Sequence, residues 1–540
     1  MIEPRILASV NRDRFFGRAA ELREIVRHSS AVNDLRSLVV MAGPDAGAPE
    51  LLRQAYDRLF MRRGDPVPIH FAFRRSDSSP VETARRLFQS LLQQYTAYRR
   101  VNPSLCKGTL TFNDLLELAL PGDYELIANL IEAFQREQAS EVDFINFCFG
   151  VPERLGAAGR AIYLLIDCTA VGPFREDTTP GHRFALKLAN SEVRFVLAGL
   201  RRQANDLIHG TDDLGWEAAS IIHLDRLSDG AATELVESLA RHYGIVSSEP
   251  TRDLIVQQLD ASPLFLTDFM HAARRRETRL NSFLACQRLY VDELLGGSIK
   301  RRFDRMLEAI APNRQTSKTL LKILYESAMS DTRRSSLWTW KKRLGLATPE
   351  FERVIDALHS CELVNSSAAL IEVNSDSYVW MDYLRAHYRV EVAAEARARV
   401  VASTLLETLE RAPQTMTRKY RREAAAGLRD LLPLFNCQQV PAALLHYDRF
   451  AAAYKGEDSD DIEDKLEAET DLVQLPQVIQ TASCTSYSNT IGCERERCIV
   501  AHAFETGEYT EANEVVWLAA EIDSKLEADA ELTEEWCDRL

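Results

Sequence analysis

Three short stretches carry residues whose types and spacing suit chemistry. The first is "AGPDAGAPE" (42–50), which follows an apolar run and opens an amphipathic one. A phosphate-binding loop has the pattern GxxxxGK[ST]. Its backbone amides and helix N-terminus cradle phosphates, its lysine neutralises them, and its hydroxyl holds magnesium. Laid on this sequence, the pattern puts Gly43 at the first glycine and Ala48 at the second, with Gly47 just before it. Pro49 then falls on the lysine and Glu50 on the Ser/Thr. Proline suits the first helical position, but it removes an amide that would face an anion. Glu50 sets a negative charge beside the site, and Ala48 adds a methyl group where phosphate must approach closely. The layout is that of a phosphate loop and the charges are the reverse of one.

The other two stretches lie near the C-terminus. Cys484, Cys493, Cys498 and His502 have the spacing C-x8-C-x4-C-x3-H. Zinc requires four ligands converging at about 2.0–2.3 Å, whereas Cys498 and His502 fall in an apolar run read as one strand, about 13 Å apart. No metal site is expected there. "AAEIDSK" (519–525) is similar to the carboxylate–lysine end of restriction-type nucleases, but its spacing is E-x-D-x-K and no upstream metal aspartate accompanies it. The histidines are isolated, and neither a G-x-S-x-G elbow nor a dinucleotide fingerprint occurs. No catalytic residue is expected.

The elements that must position the first stretch are legible. "SLVVMAG", "VPIHFAF", "AIYLLID", "VRFVLAGL" and "SIIHLDRL" are short, nearly continuous apolar runs, the mark of parallel strands covered on both faces. Helical stretches such as "PELLRQAYDRLFMRR" and "PVETARRLFQSLLQQYTAYRR" separate most of them. Alternating strands and helices predict a three-layer α/β sandwich with right-handed crossovers. Ligands bind such sheets beyond the carboxyl ends of the strands, where the loop lies.

The order of motifs resembles the AAA+ and STAND classes of P-loop ATPase. "FFGRAAELREIV" (15–26) is similar to the box that precedes their phosphate loop, and "AIYLLIDC" to their Walker B strand. The resemblance implies a magnesium-associated carboxylate at Asp167, with Cys168 where many members carry the catalytic glutamate. "VRFVLAGLRR" resembles the sensor-1 strand, with Arg201 or Arg202 as its arginine. "DASPLFL" resembles the G-N-P-L element of a helical lid, with Pro263 as its proline. A vestigial nucleotide site of Arg18, Gly43, Gly47, Pro49, Glu50, Asp167, Arg201 and Pro263 is therefore expected. Without the lysine and hydroxyl, most of the electrostatic stabilisation of phosphoryl transfer is gone. No cofactor is expected beyond weak ATP or ADP binding near Arg18 and Pro263.

Downstream, three amphipathic segments within 226–300 fit the lid. The run Arg274–Arg276 in the third reads as a helix end complementing the macrodipole. Residues 301–392 read as a winged helix, with Thr348 as an N-cap, Pro349 at the first helical position, and "ALIEVNSDSYVWM" as its hairpin. Its candidate recognition helix carries Glu350, Glu352, Asp356 and Glu362 against Arg353, which phosphate would repel. "KKR" (341–343) reads as a solvated face. A helical region (393–456), an acidic linker (457–471) and a small α/β or α+β module (472–540) complete the expected order, with 1–225 as the ATPase-like core. The helical pattern at the last residues suggests a longer parent protein.

A net charge of −15 argues against coating nucleic acid as the main task. No apolar run reaches the ~18 residues that span a bilayer, no signal peptide is apparent, and the cysteines sit in apolar settings that suit reduced thiols. These observations point to a cytoplasmic protein, not at a membrane. The expected function is that of an inactive ATPase-like scaffold or regulatory subunit. Its partner would be another protein, an active ATPase or a further copy of itself, and DNA is disfavoured. The alternatives are a nucleotide-dependent switch that binds ATP without the lysine, and a DNA-acting protein working through the winged helix or the terminal module.

Overall fold

Five apolar runs become five parallel strands: β1 (Ser37–Ala42), β2 (Val67–Ala72), β3 (Ile162–Asp167), β4 (Arg194–Leu200) and β5 (Ser220–Leu224). They lie in the order β2-β3-β4-β1-β5. This is a computed structural model that describes residues 5–416, apart from 31–36, 75, 76, 78, 171–179, 190, 210–218, 331–333 and 368, together with 439–441 and 472–474. β3 is buried along its whole length and β1 and β4 nearly so, which is why these runs are continuously apolar rather than alternating. β1 leads into the helix Ala48–Arg62 and β4 into the helix Arg201–His209. The architecture is a P-loop ATPase-like α/β sandwich, a parallel sheet flanked by helices.

Between β2 and β3 the described residues build five α-helices. The longest, Pro80–Arg99, starts on Ser79, whose hydroxyl accepts from the Glu82 amide. Phe88 stacks on Phe134 at 4.4 Å inside this helical layer. The carboxylate of Asp123, only 1% exposed, is matched there by Arg99 (2.7 Å), Arg160 (3.0 Å) and the Tyr95 hydroxyl (3.0 Å).

The chain divides into two compact units, Met1–Ser247 with Leu259–Leu280 and Gln287–Leu405, and Ser248–Gln258 with Asn281–Cys286 and Leu406–Leu540. The helix Glu249–Gln258, read from sequence as part of the lid, belongs to the second unit. In the first, the helices Asp229–Tyr243 and Pro263–Arg275 pack together and are followed by the helix Ser298–Ile310. Next come the helix Arg314–Ala328, β6 (Arg334–Ser336), the helices Leu337–Leu344 and Thr348–Ser360, and then β7 (Val364–Ser366) and β8 (Leu370–Val373), which form the antiparallel sheet β6-β8-β7.

Three local expectations are corrected. The hairpin is β7–β8, and "SYVWM" instead opens the helix Tyr378–His387, because Ser377 accepts from the Trp380 amide and Val379, Trp380 and Leu384 are all buried. Thr348 is the first helical residue and not the cap, which is Ala347, and the Thr348 hydroxyl accepts from Lys341. Glu362 lies beyond the end of the helix Thr348–Ser360, in left-handed conformation at φ 56°. The helical region beyond Met416, the acidic linker and the terminal module with Cys484, Cys493, Cys498, His502 and "AAEIDSK" lie outside the described residues apart from two short paired strands, Gln439–Pro441 and Leu472–Gln474. Among the described residues no helix is long and apolar enough to cross a membrane, and Cys106, Cys148, Cys168, Cys286 and Cys361 are free thiols.

Candidate functional site

The loop 43–47 leaves the carboxyl end of β1 and enters the helix Ala48–Arg62, with Gly47 as its N-cap at φ 92°. That φ is strained for any residue with a Cβ. The helix start fixes the register. The glycine before the lysine of a phosphate loop borders the helix, so Gly47 takes the second-glycine position, Ala48 the lysine's and Pro49 the hydroxyl's, and the first-glycine position falls on Ala42 instead of Gly43. Glu50 therefore lies one residue past the magnesium position. Its carboxylate accepts from the backbone amides of Ser9 (3.0 Å) and Val10 (3.0 Å) and pairs with Arg53 (3.6 Å). Two turns on, Asp57 accepts from the amides of Ile6, Leu7 and Ala8. The expectation that Glu50 repels an anion at the loop is thus replaced. Glu50 and Asp57 hold the N-terminal segment along the helix.

Three of the predicted residues, Arg18, Arg201 and Pro263, do converge on the loop, and Asp167 does not. Arg18 is buried and donates to the carbonyls of Ala46 (3.2 Å) and Asp225, and burial lowers its pKa despite Glu21 at 3.3 Å. The Arg201 guanidinium covers Gly43 so closely that a Cβ there would lie 2.7 Å from its Nη2. Pro263 lies against Gly47, 3.5 Å from the position of a Cβ. Asp167, at the end of β3, turns to its own backbone, its Oδ1 accepting from the Thr169 amide (3.0 Å) and hydroxyl (2.6 Å). Burial raises its pKa, against those hydrogen bonds. Cys168 beside it is buried, and burial pushes its thiol well up, so it cannot serve as a base at neutral pH.

Sequence reasoning missed the partners that complete this arrangement. Asp45, in left-handed conformation at φ 59°, receives Arg302 from the helix Ser298–Ile310 through contacts of 2.5 and 3.3 Å. The Ser262 hydroxyl donates to the Asp45 carbonyl (3.4 Å). Arg201 pairs with Asp225 (2.9 Å) and Glu362 (2.8 Å). Arg202 donates to the carbonyls of His359 (2.8 Å) and Val364 (2.7 Å) and to Asn365 Oδ1 (2.5 Å). These pairs are separated by up to 257 residues, and periodicity carries no signal for such contacts.

The loop carries no lysine or hydroxyl after Gly47. The cation and hydroxyl positions hold Ala48 and Pro49, Ala46 and Ala48 are buried, and Asp45 and Arg302 are paired with each other. One further cluster, Asp304, His387 and Glu391, has a metal-like spread within 4.8 Å. The Lys300 ammonium, 2.6 Å from Asp304 and 3.4 Å from Glu391, already supplies the positive charge, so it is an ion-pair network.

No family model and no curated protein matches the sequence. Among solved structures, the Walker-type ATPase PABY2304 of Pyrococcus abyssi is similar at a TM-score of 0.40 and 14% identity, over 71% of this chain and 100% of that one. The Aeropyrum pernix ORC1 protein in complex with DNA matches at 0.37 and 12% identity, over 70% and 94%. The Thermotoga maritima RuvB Holliday junction branch migration motor matches at 0.34 and 10%, over 70% and 97%. Likenesses this distant say nothing of activity. The fold is a P-loop ATPase-like α/β sandwich, on the parallel sheet and the helices that flank it.

Proposed function

We propose that this chain is an ATPase-like scaffold or regulatory subunit without ATPase activity, whose phosphate loop has become a fixed joint. The observation that carries this reading is the Asp45–Arg302 pair. The loop presents a carboxylate where an active loop gathers positive charge, and an arginine from a later helix neutralises it.

The order helix, strand, two helices and hairpin over 314–373 is that of a winged helix. Its third helix ends at the His359 carbonyl, which Arg202 engages together with that of Val364, and just beyond it Glu362 pairs with Arg201. A module tied to the sheet in this way serves assembly better than groove reading, and the acidic face of Glu350, Glu352 and Asp356 supports the same conclusion. The joint also removes the usual nucleotide-driven change in lid position, because a ligand shifts an equilibrium only through differential affinity for its states.

A second reading is favoured by one observation: Arg18, Arg201 and Arg302 all reach the loop. A nucleotide displacing Asp45, Asp225 and Glu362 from these arginines would make the chain a switch. Equilibrium binding of fluorescent ATP with and without magnesium separates the two. The scaffold reading requires no saturable binding up to millimolar nucleotide, and magnesium-dependent micromolar affinity would replace it with the switch.

A further inference from the structure

We propose that the far end of the paired helices Asp229–Tyr243 and Pro263–Arg275 is a docking face for single-stranded nucleic acid. The two helices start side by side, the Leu227 amide donating to the Ala261 carbonyl (3.2 Å), and finish together, Tyr243 and His271 sharing a hydrogen bond of 2.9 Å. Their common end lies away from the loop, which Ser262 and Pro263 touch at the helix starts.

Three rings adjoin there. His242 and Tyr243 have centroids 4.7 Å apart, and Tyr243 and His271 meet edge to face at 5.3 Å. Both histidines are exposed and Tyr243 is half-buried. Around them stand Arg241, Arg274 and Arg275, all exposed. Among the described residues none of the three forms an ion pair, although Asp268 lies within electrostatic reach of Arg275. Arg14 joins the group by donating to His242 Nδ1 (3.0 Å) in place of a carboxylate.

Other arginines of the chain are matched by acids, as Arg276 is by Asp292 and Glu293, Arg302 by Asp45, and Arg99 and Arg160 by Asp123. The chain has 80 acidic and 65 basic residues, and among the described residues Asp268 is the acid that reaches this group, without an ion pair to Arg275. Complementing two helix dipoles accounts for a base or two at each terminus, but not for three adjoining rings among the bases. Unpaired guanidiniums around aromatic faces match a phosphodiester backbone with unstacked bases, which bind by charge and by stacking. An acidic peptide would use the charges and leave the rings idle.

The test uses the full chain and fluorescein-labelled oligonucleotides of about 20 nucleotides, oligo-dT and oligo-U as separate arms, against the matching duplex and polyglutamate. We expect single strands to bind with a log–log salt slope of about −2 to −3, as three or four phosphate contacts give. Arg241→Glu with Arg274→Glu should weaken binding at least about tenfold and flatten that slope, and Tyr243→Ala should weaken it about tenfold, the size of one stacked base. Circular dichroism checks folding, and the Arg241→Gln with Arg274→Gln pair replaces the reversal if that variant does not fold. Preference for oligo-dT or oligo-U assigns the face to DNA or RNA. The proposal is overturned by an absence of binding at low salt, by affinities that these substitutions leave unchanged, by duplex bound as tightly with Tyr243→Ala silent, or by polyglutamate competing as well as the oligonucleotides.

Discussion

Replacing Arg302 by methionine keeps most of the side-chain volume and removes the charge that Asp45 faces. The Asp45 side chain is 10% exposed and that of Arg302 30%, so the pair lies between two regimes. Truncating one partner of a buried pair costs about 3–5 kcal/mol, whereas exposed pairs contribute about 0.2–1 kcal/mol. With two contacts and a carboxylate left nearly dry, about 2 kcal/mol is expected for Arg302→Met. Asp45→Asn retains an acceptor and should cost about 1 kcal/mol, as for one hydrogen bond. In the double variant the costs should not add, leaving a coupling energy of about 1 kcal/mol or more. Hydrogen exchange of the amides around 43–52 reads the loop locally. Arg302→Met should speed it about thirtyfold, since each 1.4 kcal/mol is tenfold. Costs that add to within about 0.5 kcal/mol, the scatter of independent sites, would show that the two side chains are neighbours without a joint.

Arg202→Met strands the carbonyls of His359 and Val364, and should cost about 1–3 kcal/mol, seen as faster exchange over 354–366. Unchanged exchange there would remove Arg202 from the tie. Gly47→Ala should destabilise by about 1–2 kcal/mol through backbone conformation alone, because its Cβ would meet Pro263 at an ordinary 3.5 Å. Urea titration compares it with Ala46→Gly as a control. Acid should act in two windows. Burial first, and Arg53 second, lower His70 from 6.5 to about 4, so the unfolded chain takes up a proton that the folded one refuses, and stability falls as pH falls through that range. Glu391 is lowered from 4.5 to about 2, chiefly by the His387 hydrogen bond and then by Lys300. Its contribution, present above pH 4.5, is lost as pH falls towards 2. Its half-exposure limits this to about 1 kcal/mol, and Glu391→Gln should flatten only the lower window of a urea-midpoint series.

The strands were legible because a parallel strand covered on both faces is apolar at nearly every residue, and β1, β3 and β4 meet that condition apart from Ser37, Asp167 and Arg194 at their ends. The long helices Pro80–Arg99 and Pro263–Arg275 announced themselves by proline in the first turn after a serine. Short helices did not. The segments Phe112–Leu118 and Val151–Ala157 span two turns each, and the signal of the first is its Thr111–Asp114 capping box. "SYVWM" was misread because a helix buried all round shows neither period, and its aromatic and β-branched residues favour strand. At the site, the loop was visible because its glycines and proline are local features. Asp45, Asp225, Arg302 and Glu362 were not, since an ion pair across hundreds of residues leaves nothing in the local pattern. Glu50 was misassigned for a related reason, because its partners are backbone amides of residues 9 and 10, and amides have no sequence identity.

The losses at the loop and the gains around it have the same electrostatic sense. Arg18, Arg201 and Arg302 contribute three positive charges, and Glu21, Asp45, Asp225 and Glu362 contribute four negative ones through their ion pairs and the carbonyl contact of Arg18. The sum, 3 − 4 = −1, leaves no positive charge unspent. In an active loop the cations are matched only when phosphate arrives, so the ligand's charge holds the lid. Here Asp45 stands in for that charge from within the loop itself, and Arg302 answers it from the later helix. An entering anion would have to break these pairs, and every carboxylate it displaced would remain nearby and repel it. Restoring lysine at Ala48 alone therefore adds one charge to a site already satisfied, and nucleotide affinity should return only when Asp45 is neutralised as well.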